Sequence, residues 1–158
     1  MVATNEFSAN IELQHIYLEA YSERYHSLRQ YFEAYYCYRH NLVTRQGKPD
    51  WLQIFHFARP SMKASACKTR KETVRELALP LSVITGKLKA LVRDEELTVE
   101  AIAEILDEHL EYVILSRFEW QKLCQLGFED RMPPSFFQPS DPGYQDVMIR
   151  FSLAGIEF

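Results

Sequence analysis

From Glu6 to Leu42 the chain contains neither glycine nor proline. No residue in that stretch is of the kind that readily breaks a helix. Apolar side chains recur at Ile11, Leu18, Tyr21, Tyr25, Leu28, Phe32, Tyr35 and Leu42, stepping by three and four once Gln14 and Arg39 fill the gaps. This spacing predicts one long amphipathic helix carrying a heptad stripe. Tyr17, Tyr31 and Tyr38 lie beside the stripe and widen it. Tyrosine suits a half-buried seam, because its ring packs while its hydroxyl reaches water. The loop Thr44–Asp50, with Gly47 and Pro49, ends the helix.

Helix length then leads to an expectation about function. About 37 residues at 1.5 Å each reach roughly 55 Å. A compact globule of this chain length is only about 40 Å across. A helix without a kinking residue is expected to project and to cover its stripe with another helix, from a second copy or a protein partner. The expected partner interface is Ile11, Leu18, Tyr21, Tyr25, Leu28, Phe32 and Tyr35.

The remainder reads as a small helical lobe. Asp50 caps a short helix from Trp51 to Ala58, which Arg59-Pro60 stops. Residues 61–68 read as an exposed loop. Thr69-Arg-Lys-Glu72 is a capping-box pattern that predicts a helix through Leu79. Pro80 interrupts, and a further helix is expected from Ser82 to Val92. Thr98 caps another helix, with Val99, Ile102, Ile105, Leu106 and Leu110 on its apolar face. Tyr112–Leu115 is β-branched and aromatic enough for a strand. A second capping box, Ser116-Arg-Phe-Glu119, opens a helix that Gly127 closes. Four prolines make 128–145 a loop, and Val147–Leu153 alternates like a strand that could pair with Tyr112–Leu115. The expected class is mainly α: a long N-terminal amphipathic helix plus a small helical lobe with a minor two-stranded β element. Residues 1–158 read as a single domain, with 1–45 the long helix and 46–158 the compact lobe.

Charge is segregated. Residues 39–75 carry nine bases and two acids, and residues 76–130 carry twelve acids and five bases. A basic block can face phosphate, or it can face an acidic block such as 94–111. The expected basic surface is Lys63, Lys68, Arg70, Lys71 and Arg75. Thr73–Leu79 followed by Ser82–Leu91 also has the cadence of a helix-turn-helix at 72–93, with Lys87, Lys89 and Arg93 on the second helix. That makes a nucleic-acid-binding regulator an alternative function, although the sequence pI of about 5.7 is low for a DNA binder.

Metal chemistry has a weaker signal. Glu12-x-x-His15 and Glu23-x-x-His26, with Glu19 between them, match the E-x-x-H spacing of carboxylate-bridged metal helices. Both motifs lie on one predicted helix, roughly 16 Å apart, so they cannot share an ion. A helical metalloenzyme is therefore the third reading, behind a solvated polar face. No phosphate-binding glycine loop, nucleophile elbow or zincin motif is present in the sequence. Cys37 and His40 could share a helix face, and His56 lies between Phe55 and Phe57 as an expected core histidine. Trp51 and Trp120 read as core anchors. No catalytic residue and no cofactor is assigned. Three cysteines without C-x-x-C spacing fit reduced thiols in the cytoplasm. Met1–Asn10 has no basic residue before an apolar core, unlike a signal peptide, and no apolar run reaches membrane-spanning length. The leading expectation is a non-catalytic binding or regulatory protein that associates through its tyrosine-rich N-terminal helix.

Overall fold

The structure is a computed structural model that describes residues 2–158, with side chains described from Asn5 onward. It is mainly α with a minor β element and a long N-terminal helix. Chain order is α1 (Val2–Tyr21), α2 (Leu28–Arg39), α3 (Ile54–Phe57), β1 (Arg59–Pro60), α4 (Met62–Ser65), β2 (Thr73–Leu77), α5 (Leu81–Arg93), α6 (Val99–His109), β3 (Tyr112–Ser116), α7 (Arg117–Gln125) and α8 (Ile149–Leu153). Three 3-10 turns, Trp51–Gln53, Arg70–Glu72 and Pro134–Phe137, punctuate it. The chain folds into two compact units, one of residues 1–56 with 84–110, the other of 57–83 with 111–158.

The first unit corrects the expectation of one helix through Leu42. The helix stops at Tyr21, turns, and returns as α2. The turn is a Schellman motif: Arg24 N–H donates to Glu19 O at 2.9 Å and Glu23 N–H to Ala20 O at 3.0 Å. Glu23 takes the left-handed position at φ 56°, the place glycine usually fills. An ion pair of Arg24 with Glu19, 2.9 Å, closes the same corner. The two helices run antiparallel. Asn5 donates to Asn41 at 2.6 Å, Ser8 hydrogen-bonds the Tyr38 hydroxyl, and the His15 and Tyr31 rings sit 5.0 Å apart.

The inner face of α1 is Ala9, Leu13, Ile16 and Ala20, a different stripe from the one the sequence favoured. Two of the four are alanines, which let the helices approach closely but contribute little to an apolar pattern. On α2 the inner residues are Leu28, Phe32, Tyr35, Tyr36 and Cys37. Ile84 and Leu88 of α5, and Ile102 and Leu106 of α6, are likewise buried in this unit. Thr98 caps α6 as expected, its side chain accepting from Ala101 N–H at 3.0 Å.

The second unit is built on a three-stranded sheet in the order β1-β3-β2. β3 is central, and all five of its residues are buried. β2 pairs with it antiparallel, Thr73 opposite Ser116 through Leu77 opposite Tyr112. β1 pairs parallel on the other edge, Arg59 with Val113 and Pro60 with Ile114. Proline is tolerated there because an edge strand need not donate on both sides.

Three further expectations are corrected in this unit. The helix expected over 69–79 is one 3-10 turn followed by β2. Glu72 does cap Thr69 N–H at 2.9 Å, but β-branched Thr73 and Val74 then join the exposed edge of β3. The strand expected over 147–153 is the short helix α8, so β3 pairs with β1 and β2 instead. Residues 61–68 are not all loop, because Ser61 caps the helical turn of α4. Phe151, Ala154 and Ile156 pack with Val113, Leu115 and Leu123 in one apolar cluster.

Candidate association surface

The expected interface residues divide by position. Leu28, Phe32 and Tyr35 are buried in the first unit's own core, so they are not available to a partner. Ile11 and Tyr25 are half-buried. Leu18 is 58 % exposed and Tyr21 is 70 % exposed. Phe7, which the sequence reading left out, is 67 % exposed.

These side chains share one face of α1. Phe7, Ile11, Gln14, Leu18 and Tyr21 alternate steps of four and three, which keeps them in line along a helix. Tyr17 and Tyr21, one turn apart, stack with centroids 6.0 Å apart and an interplanar angle of 16°. The sequence stripe was thus real on α1, but it is the outer face. The phase jump at Glu23 carries the stripe's continuation inward on α2. Phe7 was legible as the next position back along the same heptad.

A polar cleft of about 130 Å³ is lined by Tyr35, Tyr36, Arg39, His40, Asp107 and two leucines of the first unit. The Tyr35 hydroxyl donates to Asp107 Oδ1 at 2.7 Å, and Arg39 Nε donates to the same oxygen at 3.2 Å. Burial, reinforced by the Asp107 hydrogen bond and charge, raises the Tyr35 pKa strongly. Burial, with Arg39 nearby, lowers the His40 pKa. The tyrosine stays protonated and the carboxylate is already engaged by two donors, so the cluster works as a latch between α2 and α6. Arg39–Asp107 is also a contact between the basic 39–75 and acidic 94–111 blocks.

The other candidate residues fall as follows. Glu12 and His15 touch at 3.3 Å on one face of α1, and Glu19 pairs with Arg24. Glu23 and His26 lie in the exposed turn, where helical i,i+3 geometry no longer applies. Among the described residues no group of three His, Cys, Asp or Glu side chains converges to hold a metal ion. Cys37 is fully buried, and the His40 ring packs on Tyr36 at 4.3 Å. His56 is exposed rather than core, and Trp51 and Trp120 are both partly exposed. Trp120 Nε1–H donates to Glu76 at 3.2 Å. Within 72–93 the first helix of a helix-turn-helix is replaced by β2. Of that motif's bases, Lys89 lies 5.0 Å from the Tyr25 ring centroid and Arg93 pairs with Asp94 at 2.9 Å. Lys63, Lys68, Arg70 and Lys71 are exposed, and Arg75 is half-buried on β2.

Comparison with protein-family models, with curated proteins and with solved structures gives no match for this chain. Among the described residues no helix is long and apolar enough to cross a membrane.

Proposed function

We propose that this chain is a non-catalytic helical binding protein that self-associates through the outer face of α1. The observation that supports it is the uncovered stripe of Phe7, Leu18 and Tyr21, with Ile11 half-buried between them. Three large apolar side chains at heptad spacing on one helix form a seam suited to another helix. A second copy is the favoured occupant because the stripe nearly mirrors itself. Phe7 and Ile11 precede Gln14 at almost the intervals at which Leu18 and Tyr21 follow it. A two-fold antiparallel pair would set Phe7 against Tyr21, Ile11 against Leu18 and Gln14 against Gln14. Isologous interfaces require that kind of self-complementarity. Ser8, Asn10, Tyr17 and Ser22 flank the seam without charge, and His15, which also flanks it, pairs with Glu12 at 3.3 Å, so two copies bring no unopposed like charges together there.

The seam runs about 21 Å along the helix. An interface that short lies at the small end of the range, below roughly 1,200 Å², and gives a reversible dimer. Such association suits a regulatory role, and three cysteines without C-x-x-C spacing suit a reducing, cytoplasmic setting.

Sedimentation equilibrium tests the reading. Wild-type chain should pass from the 18.6 kDa monomer toward twice that mass as its concentration rises through roughly the micromolar range. Leu18→Glu with Tyr21→Glu should remain monomeric with an unchanged melting temperature, because neither residue is in the core. A wild-type chain still monomeric at about 100 µM would overturn the proposal.

A further inference from the structure

The second unit carries a surface of a different chemistry. Lys63 on α4, Lys68 and Lys71 around the 3-10 turn, and Arg117 at the start of α7 are all exposed. Contacts link Lys63, Lys71, Arg117 and Phe118, and Lys68 stands at the same 3-10 turn through its backbone bond to Glu72. Lys63 Nζ lies 5.3 Å from the centroid of the Phe118 ring, and Arg117 Nε donates to the Lys71 carbonyl. Phe118 itself is 64 % exposed.

The two acids nearest in sequence are held in backbone caps, Glu72 on the surface and Glu119 buried. Glu72 Oε2 accepts the backbone N–H groups of Lys68 at 3.0 Å and Thr69 at 2.9 Å, and these bonds hold its pKa down. Glu119 is buried and accepts from the Ser61 hydroxyl at 2.6 Å and from Ser116 N–H at 2.9 Å. Both carboxylates are committed to capping the backbone on which the cations stand. Among the described residues no ion pair within 4 Å engages Lys63, Lys68, Lys71 or Arg117.

We infer that this face binds single-stranded nucleic acid. Phosphodiesters match an exposed cluster of cations, and an exposed flat ring among them is a stacking platform for a base. A rigid duplex would leave Phe118 unused, because its bases already stack on one another. A cation lying across one face of the ring leaves the other face for the base and places positive charge beside its phosphate. The inference is independent of self-association, since none of these residues lies on α1.

The test is fluorescence anisotropy of labelled oligo-dT and oligo-rU, about 20 nucleotides long, with the full chain. Binding is expected at about 50 mM salt. Four neutralised phosphates on a single strand give a log–log salt slope near −2.8, a loss of about 50-fold between 50 and 200 mM. Phe118→Ala should weaken binding about tenfold without changing that slope. Lys68→Ala with Lys71→Ala should flatten the slope by about 1.4. All three side chains are exposed, so circular dichroism should show unchanged folding. No binding at low salt would overturn the inference. So would equal affinity for duplex, wild-type affinity in both variants, or binding to phosphatidylserine vesicles with none to the oligonucleotides.

Discussion

Arg150 shows how one side chain can fix a tail to a sheet. Its guanidinium has no exposed surface, yet it donates to three backbone carbonyls: Leu77, Phe128 at 2.6 Å and Glu129 at 3.4 Å. Glu76 lies 3.8 Å away and supplies the counter-charge. Burial lowers the arginine pKa while Glu76 and Asp130 act against that shift. Planar forked donors suit this task, because one group serves several acceptors at fixed angles. From sequence alone Arg150 falls on the polar face of an expected strand, with nothing to mark it as buried. Only the carbonyls of β2 and of the 128–129 loop, remote in sequence, make the position intelligible. Arg150→Met keeps much of the volume but leaves those carbonyls without their donor and Glu76 without its counter-charge. The expected loss is about 3–5 kcal/mol of unfolding free energy, as for other broken buried ion pairs. Urea denaturation followed at Trp120 measures it, and a loss under about 1 kcal/mol would show that water replaces the guanidinium freely.

Helix ends decide the elements, and they account for most of the difference between reading and structure. Helices α1, α2, α5, α7 and α8 all close with the same paired hydrogen bonds, at Glu23, Asn41, Glu95, Gly127 and Gly155. Each of those residues has positive φ. Where glycine occupies the position the stop was legible, as at Gly127. Where glutamate occupies it, at Glu23, the chain carried no mark, and two helices read as one. A non-glycine residue in the left-handed region costs about 1–2 kcal/mol. Glu23→Gly removes that cost but frees the unfolded chain, so it should be neutral to stabilising by up to about 1 kcal/mol. In an unbroken helix the same change would destabilise by about 1 kcal/mol. The sign of the melting-temperature shift therefore distinguishes turn from helix. Local signals fared well elsewhere: the Thr98 cap and the Ser116–Glu119 capping box depend only on near neighbours and both form, and Tyr112–Leu115 is a strand as its β-branched and aromatic residues favour, although its pairing partners lie far along the chain. β2 and α8 were misread because their conformations follow from partners far along the chain. β2 takes its hydrogen bonds from β3, about forty residues away. α8 is held by Arg150 and by the cluster around Leu115 and Leu123. The exposed apolar face of α1, the proposed association surface, was half legible for the same reason. Its heptad spacing is local, but which face of α1 lies outward depends on the turn.

At the scale of the whole molecule, the chain passes between its two units at 56–57, 83–84 and 110–111, so neither unit is a continuous segment. Titratable chemistry is divided between them unevenly. All five histidines, His15, His26, His40, His56 and His109, belong to the first unit and none to the second. Two of them have lowered pKa values. Burial is the main cause at His40, with Arg39 adding to it and Asp107 opposing it. Burial is again the main cause at His109, with Lys87 adding to it and Glu108 opposing it. A histidine whose folded pKa lies below its unfolded value near 6.5 binds more protons when unfolded. Its contribution to stability is complete above the unfolded pKa and disappears as pH falls through the folded one. Acidification from about pH 7.5 to 5 should therefore destabilise the first unit, while the second has no histidine to titrate over that interval. Hydrogen exchange read at Ile102–Leu106 in α6 and at Tyr112–Leu115 in β3 reports the two units separately. Protection in α6 should fall first as pH drops, after correction for the intrinsic pH dependence of exchange. His40→Gln with His109→Gln should flatten that response and leave β3 unchanged. Loss of protection at β3 before α6, or an acid response of α6 undiminished in the double variant, would show that other groups set the acid limit.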